Sequence, residues 1–197
     1  MSELMSKLFF EKFNEKVAIN KNEQEGIEAH LIFKRLRKHQ YLLQEGDVCK
    51  YIAFVNKGAL KSFVIEENGI DRIRQFAIEG WTISDLFSFL TEEPATLNID
   101  ALEDTELVLI SKTAHNELLK SHPKYETYMR LLITNAYTSL QNRLSLTHSQ
   151  SLEDQYVGFI SRYPDISNRV PQYMIASYLG LTPETLSRLR RKMASKH

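Results

Sequence analysis

The spacing of apolar residues changes once along this chain, and that change limits what the chain can fold into. From about Phe33 to Ser111 the apolar residues come in short runs split by turn signals. Phe33 and Leu36, then Tyr41 and Leu43, precede a Glu45-Gly46-Asp47 turn, and Asn56-Lys57-Gly58 divides Tyr51–Val55 from Ala59–Ile65. Glu67-Asn68-Gly69 holds the Asn-Gly pair favoured in tight hairpins. Ile70–Ile78 alternates at a period of two, Glu79-Gly80 turns the chain again, and Ile99–Ile110 supplies the last strands. Short strands punctuated this evenly predict an antiparallel roll.

Beyond Ser111 the period becomes helical. Thr113–Lys120 reads as a short helix stopped by His122-Pro123. From Lys124 to His148 no Gly or Pro intervenes, so a helix of about 35 Å is expected. That is long for a cap on a small roll. A homodimer contact through Tyr128, Met129, Leu132, Ala136, Leu140 and Leu144 is the economical explanation, with packing on its own roll as the alternative. At the other end, Leu4, Leu8, Phe9, Phe13 and Val17 stand at helical spacing, Asn20–Gly26 breaks the pattern, and Ile27–Leu31 predicts a second short helix. Three more helices are expected at Leu152–Tyr163, Pro171–Leu179 and Pro183–Lys192. The fold class is therefore α+β: an N-terminal β-roll with its helices (1–123), a dimerisation helix (124–148) and an all-α C-terminal domain (149–197).

Composition narrows the function classes. With 25% charged and 43% hydrophobic residues in 197, the chain has ordinary globular usage, enough for one domain or two small ones. No apolar run approaches the roughly 18 residues of a membrane span. The start, Met1-Ser2-Glu3, is acidic where a signal peptide is basic, so a cytoplasmic location is expected and no membrane partner. Cys49 is the one cysteine, which excludes an internal disulfide and a cysteine-ligated iron–sulfur cluster. Net charge is zero overall but about +3 from Ser151 onward, and no acid follows Leu186. On charge alone, a basic C-terminal part reads equally as a contact for a polyanion or as a solvated helix end whose dipole favours Lys and Arg.

The stretch Pro171–Arg190 says which polyanion. Ala176 is small where two helices cross, and Gly180 stands where the chain leaves the first helix and needs a left-handed conformation. Thr182 suits an N-cap and Pro183 the first helical position, while Leu186 and Leu189 face back onto Ile175 and Leu179. This is helix-turn-helix spacing. On the outer face Glu184, Ser187, Arg188 and Arg191 recur at i, i+3, i+4 and i+7. Arg can pair with guanine O6 and N7, Glu can accept from cytosine N4, and Ser can contact base or phosphate. Thr182, Thr185 and Lys192 complete the candidate DNA-binding set, with phosphates expected for Arg191, Lys192 and Lys196.

Taken in order, Leu42-Leu43-Gln44-Glu45-Gly46-Asp47, Phe54-Val55-Asn56-Lys57-Gly58 and Glu184-Thr185-Leu186-Ser187-Arg188 resemble the Crp/Fnr family of bacterial transcription regulators over nearly the whole chain. The resemblance implies a cyclic-nucleotide-binding-like roll, double-stranded DNA with palindromic TGA-type half-sites as partner, base contacts by Glu184, Ser187 and Arg188, and RNA polymerase as a further candidate partner. It also locates an effector pocket. The ribose-binding turn of cyclic-AMP members falls on Ser84-Asp85-Leu86 after Trp81, their phosphate-binding Arg-Ser pair on Ala95-Thr96, and their adenine-reading Thr-Ser pair on Leu140-Gln141. No basic residue replaces the missing arginine between Leu86 and Lys112, so the effector is unknown and cyclic AMP is not expected. Trp81, Asp85 and Thr96 are expected to line what cavity remains. No metal is expected, and no cofactor beyond the unknown effector. The family's two-stranded wing has no clear counterpart before His197. The rival reading is a small-molecule-binding or protein-interaction module with a degenerate helix-turn-helix. An enzyme is not expected, because the chain lacks a His-x-His, a phosphate loop and a nucleophile elbow.

Overall fold

The computed structural model describes the backbone of residues 2–147 and 151–194 and the side chains of residues 6–141 and 151–194. Two helices open the chain, α1 (Ser2–Asn14) and α2 (Lys21–Glu28). Phe9, Phe10 and Phe13 put three buried rings on the inner side of α1. The expected break at Asn20–Gly26 is instead the body of α2. Asn20 accepts from the Glu23 N–H while Glu23 accepts from the Asn20 N–H, a reciprocal cap that starts a helix over a run with almost no apolar residue. Leu31, placed by its sequence pattern at the end of that helix, begins a strand.

The roll consists of β1 (Leu31–Leu36), β2 (Tyr41–Leu43), β3 (Tyr51–Lys57), β4 (Leu60–Ile65), β5 (Asp71–Ala77), β6 (Thr82–Ile83), the short helix α3 (Leu86–Thr91), β7 (Asn98–Ala101) and β8 (Thr105–Ser111). Two four-stranded antiparallel sheets result, ordered β1-β8-β3-β6 and β2-β7-β4-β5. Phe54, Leu60, Ile83, Phe89, Ile99 and Leu107 are buried in the main core. Gly58 carries the Asn56–Gly58 turn at φ +94°, where a Cβ would stand 2.8 Å from the Asp104 carbonyl oxygen, so only glycine fits. The Asn68-Gly69 turn is looser than the two-residue hairpin expected, because Ile65 pairs with Asp71 and five residues close the loop.

Helix α4 (Lys112–Ser121) leads to the long α5 (Pro123–Thr147), for which Pro123 is the first residue as well as the stop for α4. Tyr128 and Met129, expected at a dimer contact, belong to the protein's own core. Tyr128 stacks on Phe13 at 4.1 Å, so α1 covers the first turns of α5. Further on, Ile133, Tyr137 and Leu140 are exposed, with Ala136 beside them. The Leu144 side chain lies outside the described residues.

Four helices follow: α6 (Leu152–Arg162), α7 (Ile166–Arg169), α8 (Gln172–Leu179) and α9 (Pro183–Ala194). They do not form a detached unit. Phe63, Ile73 and Phe76 from the outer face of the second sheet share a core with Phe159, Tyr163, Ile166, Ile175, Leu186 and Leu189. No described helix is long and apolar enough to cross a membrane.

Candidate nucleic-acid interface and effector cavity

Gly180 ends α8 in the left-handed region at φ 71°, and its N–H returns to the Ser177 carbonyl oxygen. Two residues on, Thr182 caps α9, its hydroxyl accepting the Thr185 N–H at 3.2 Å. Leu186 is fully buried and Leu189 nearly so, which turns the opposite side of α9 outward. Glu184, Arg188 and Arg191 are exposed there with Ser187 half-buried, around a broad open concavity of about 660 Å³ whose floor includes Pro183 and Gln172. Hydrogen bonding from its own backbone N–H, then from the Thr182 hydroxyl, holds the Glu184 carboxyl below the usual carboxylate range, with the Arg188 charge adding to it. It is therefore an acceptor at neutral pH.

Some of the sequence-derived set stands elsewhere. The Thr185 hydroxyl lies 3.1 Å from that of Thr182, so both residues serve the cap. Lys192 turns aside to α6, with its ammonium 2.6 Å from Glu153. Lys196 is outside the described residues. Gln172, at the first position of α8, joins the face without having been singled out; a polar residue opening the first helix of the pair was its only signal.

The turn before α3 is closed by its own hydrogen bonds. Asp85, only 5% exposed, accepts from the Ser88 N–H at 3.1 Å and the Thr96 N–H at 3.2 Å. Ala95 is buried, with its N–H and carbonyl both tied to the Gln44–Asp47 loop through Asp47 and Gly46. Ser84 donates to the Tyr51 carbonyl oxygen. A cavity of about 190 Å³ opens beside this turn, between the roll and α5. Gln75, Thr82 and Ser84 supply its polar lining, and Leu86, Met129, Leu132 and Ala136 much of its apolar lining. Among the described residues that line it, none is basic. Ser84 and Leu86 are thus at the cavity, whereas Asp85, Ala95, Thr96, Leu140 and Gln141 are not among its walls. Trp81 lies against Tyr163, with ring centres 5.1 Å apart and Arg162 over its face, so an aromatic offered to a ligand is spent on the C-terminal helices. Among the described residues no three His, Cys, Asp or Glu side chains come together to hold a metal.

An open helix face bearing ionised Glu and Arg, carried on a roll with a small cavity beside α5, is the make-up of a DNA-binding regulator with a sensor-type domain. The family profile described as cyclic nucleotide-binding domain matches residues 33–122. Regulatory protein HlyX of Actinobacillus pleuropneumoniae is 30% identical over 173 residues, covering 79% of this chain and 69% of that protein. Electron transport regulator A of Shewanella oneidensis is 27% identical over 87% of this chain and 72% of its own length. The solved structure of FixK2 from Bradyrhizobium japonicum superposes with a TM-score of 0.72 at 17% identity, covering 84% of this chain and 85% of that one. The chain belongs to the Crp/Fnr family of transcription regulators. Its relatives are named as regulatory proteins rather than enzymes.

Proposed function

We propose that the protein binds palindromic DNA as a homodimer and reads TGA-containing half-sites through α9. The observation that carries this reading is the joint exposure of Glu184, Arg188 and Arg191 around Ser187 on one uncovered helix face, with the Glu184 carboxyl held ionised. Arg188 contacts a guanine edge, Glu184 accepts from cytosine and Ser187 contacts base or phosphate. Arg191 and Gln172 meet phosphates on either side of the bases. Two-fold symmetry comes from Ile133, Ala136, Tyr137 and Leu140 of α5, at i, i+3, i+4 and i+7, and sets the two α9 helices about 34 Å apart. Residues 1–123, 124–148 and 149–197 act as sensor, dimer helix and reading head. The protein works in the cytoplasm, where its DNA is, without catalytic activity of its own, and RNA polymerase is a partner to test.

The sensor takes a small, uncharged ligand if it takes one. The 190 Å³ cavity is below the roughly 300 Å³ usual for ligand pockets, and burying a cyclic phosphate there without a cation is strongly disfavoured. Fluorescence anisotropy with a labelled TGA palindrome and a scrambled duplex tests the main reading. Preference for the palindrome is expected, and equal affinity for both duplexes overturns it. Calorimetry with cyclic AMP is expected to show no heat of binding.

A further inference from the structure

The reading head is fastened to its own roll at several separate points. β5 is the edge strand of its sheet. Its outward peptide groups meet Ser177 of α8, whose hydroxyl donates to the Asp71 carbonyl oxygen at 2.6 Å and accepts the Ile73 N–H at 3.0 Å. One side chain thus replaces the ladder partner that the edge lacks. Beside it the helix-turn-helix turn presses on the same strand: a Cβ on Gly180 would lie 3.3 Å from the Arg72 guanidinium. At the far side Arg169, closing α7, binds Glu79 of the roll through two nitrogens at 2.9 and 3.1 Å and makes a third contact with Glu103. Glu79 also accepts the Gly58 N–H at 2.7 Å. Between these, Phe76 of β5 sits among Phe159, Tyr163 and Tyr178, with ring centres 5.6–6.1 Å away. Arg162 finally ties α6 to Ser139 of α5 at 2.5 Å.

We propose that Ser177 and Arg169 are positioning residues for DNA recognition: by clamping the helix-turn-helix to β5 and to the Glu79–Glu103 pair, they fix the half-site spacing that the dimer accepts. The proposal rests on the palindrome reading above. The physical reason is geometric. α5 relates each roll to the two-fold axis, and the clamp relates each α9 to its roll, so the vector between the two reading faces is set on both sides. A head joined to α5 through the chain alone could swing to meet sites at several spacings. One added base pair shifts a half-site by about 3.4 Å and turns it by roughly 35°, too much for a clamped face to follow. Arg169, engaged by two carboxylates, is a basic residue of the C-terminal part that serves the clamp instead of phosphate.

The test is a series of TGA palindromes whose central spacer is shortened or lengthened by one and two base pairs, with wild type, Ser177→Ala, Arg169→Met and Ser177→Thr. Wild type is expected to lose about tenfold or more in affinity per base pair away from its best spacer, a cost of about 1.4 kcal/mol. Ser177→Ala and Arg169→Met should flatten that profile to within about threefold while still preferring TGA to a mutated half-site. Ser177→Thr, which keeps the hydroxyl, should restore the sharp profile. Merely structural damage would lower affinity at every spacer alike. Variant profiles as sharp as that of wild type overturn the proposal, as does a wild type indifferent to spacing. Should wild type bind no member of the series, the palindrome reading itself falls and takes the clamp's role with it; Ser177→Ala is mild enough that its fold can be checked by near-ultraviolet circular dichroism.

Discussion

Glu184 and Asp85 are both carboxylates at the start of a helix, and the protein uses them in opposite ways. Glu184 stands in the first turn of α9, fully open, its charge held by local backbone and a neighbouring hydroxyl. Asp85 caps α3 from inside the roll and gives its two oxygens to the backbone N–H groups of Ser88 and Thr96, eight residues apart. The same chemistry at a helix N-terminus therefore stays open to solvent in one place and closes a loop in the other. What separates them is whether the remaining lone pairs point at solvent or at the protein. The turn before α3 is sealed with the roll's own atoms, and the outer face of α9 is left open.

The largest expected effect on stability comes from opening the sealed end. Asp85→Ala orphans the buried Ser88 N–H and frees the part-buried Thr96 N–H, and should lower stability by about 1–3 kcal/mol in urea denaturation, with the TGA preference of the folded protein unchanged. A variant as stable as wild type would break the contrast, since Asp85 would then be as dispensable as a surface residue. At the open end, Arg188→Ala should cost about 1–3 kcal/mol per half-site on cognate duplex and far less on a scrambled one, measured by anisotropy at fixed salt. Equal losses on both duplexes would mean that this face holds DNA without reading it.

Asp100 sharpens the comparison as a carboxylate that is buried but incompletely partnered. It is 6% exposed, lies 3.8 Å from Lys61, and its Oδ1 has no hydrogen-bond partner among the described residues. Burial pushes its pKa up to about 6 against the pull of Lys61, and the Asp71 charge adds to the rise. Folded protein therefore holds this proton after the unfolded chain, near 3.8, has released it. The associated stability is complete below about pH 4 and is lost as pH rises through about 6. Asp100→Asn should be about 1–2 kcal/mol more stable than wild type at pH 7.5 and equal to it at pH 4, by urea denaturation at the two pH values. A constant difference across that range would show that Asp100 titrates normally. The smallest effect belongs to Lys192, which Glu153 already holds. Lys192→Ala should change DNA affinity by less than about twofold, whereas Arg191→Ala should lower the salt slope by about one.

Much of the fold was legible because the signals were local. The strand boundaries followed Gly46, Gly58 and Gly80, each at positive φ, and the helix-turn-helix followed Gly180, Thr182 and Pro183 acting together. The outer face of α9 was legible for the same reason: four polar residues lie on one side of a helix whose other side is Leu186 and Leu189. What escaped depended on contacts between distant segments. Tyr128 and Met129 continue the apolar stripe of α5 without a break, and nothing in that stripe tells that α1 covers its first turns. Trp81 is an aromatic beside a ligand-binding turn by sequence and a docking surface for Tyr163 in space. Lys192 counts as one more base in a basic tail until Glu153, 39 positions away, is brought beside it.

The sealing of β5 by Ser177 has one more consequence. A bare strand edge is a template on which a second chain can add a strand, and proteins that expose one are prone to stack edge to edge. Here the cover is α8 of the helix-turn-helix, so the integrity of the C-terminal helices and the colloidal behaviour of the roll are linked. A roll that loses its head uncovers the Asp71 and Ile73 peptide groups together with the apolar rings of Phe63 and Phe76. Truncation of this chain before α6 is therefore expected to raise self-association of the remaining roll, read as a larger mass by light scattering.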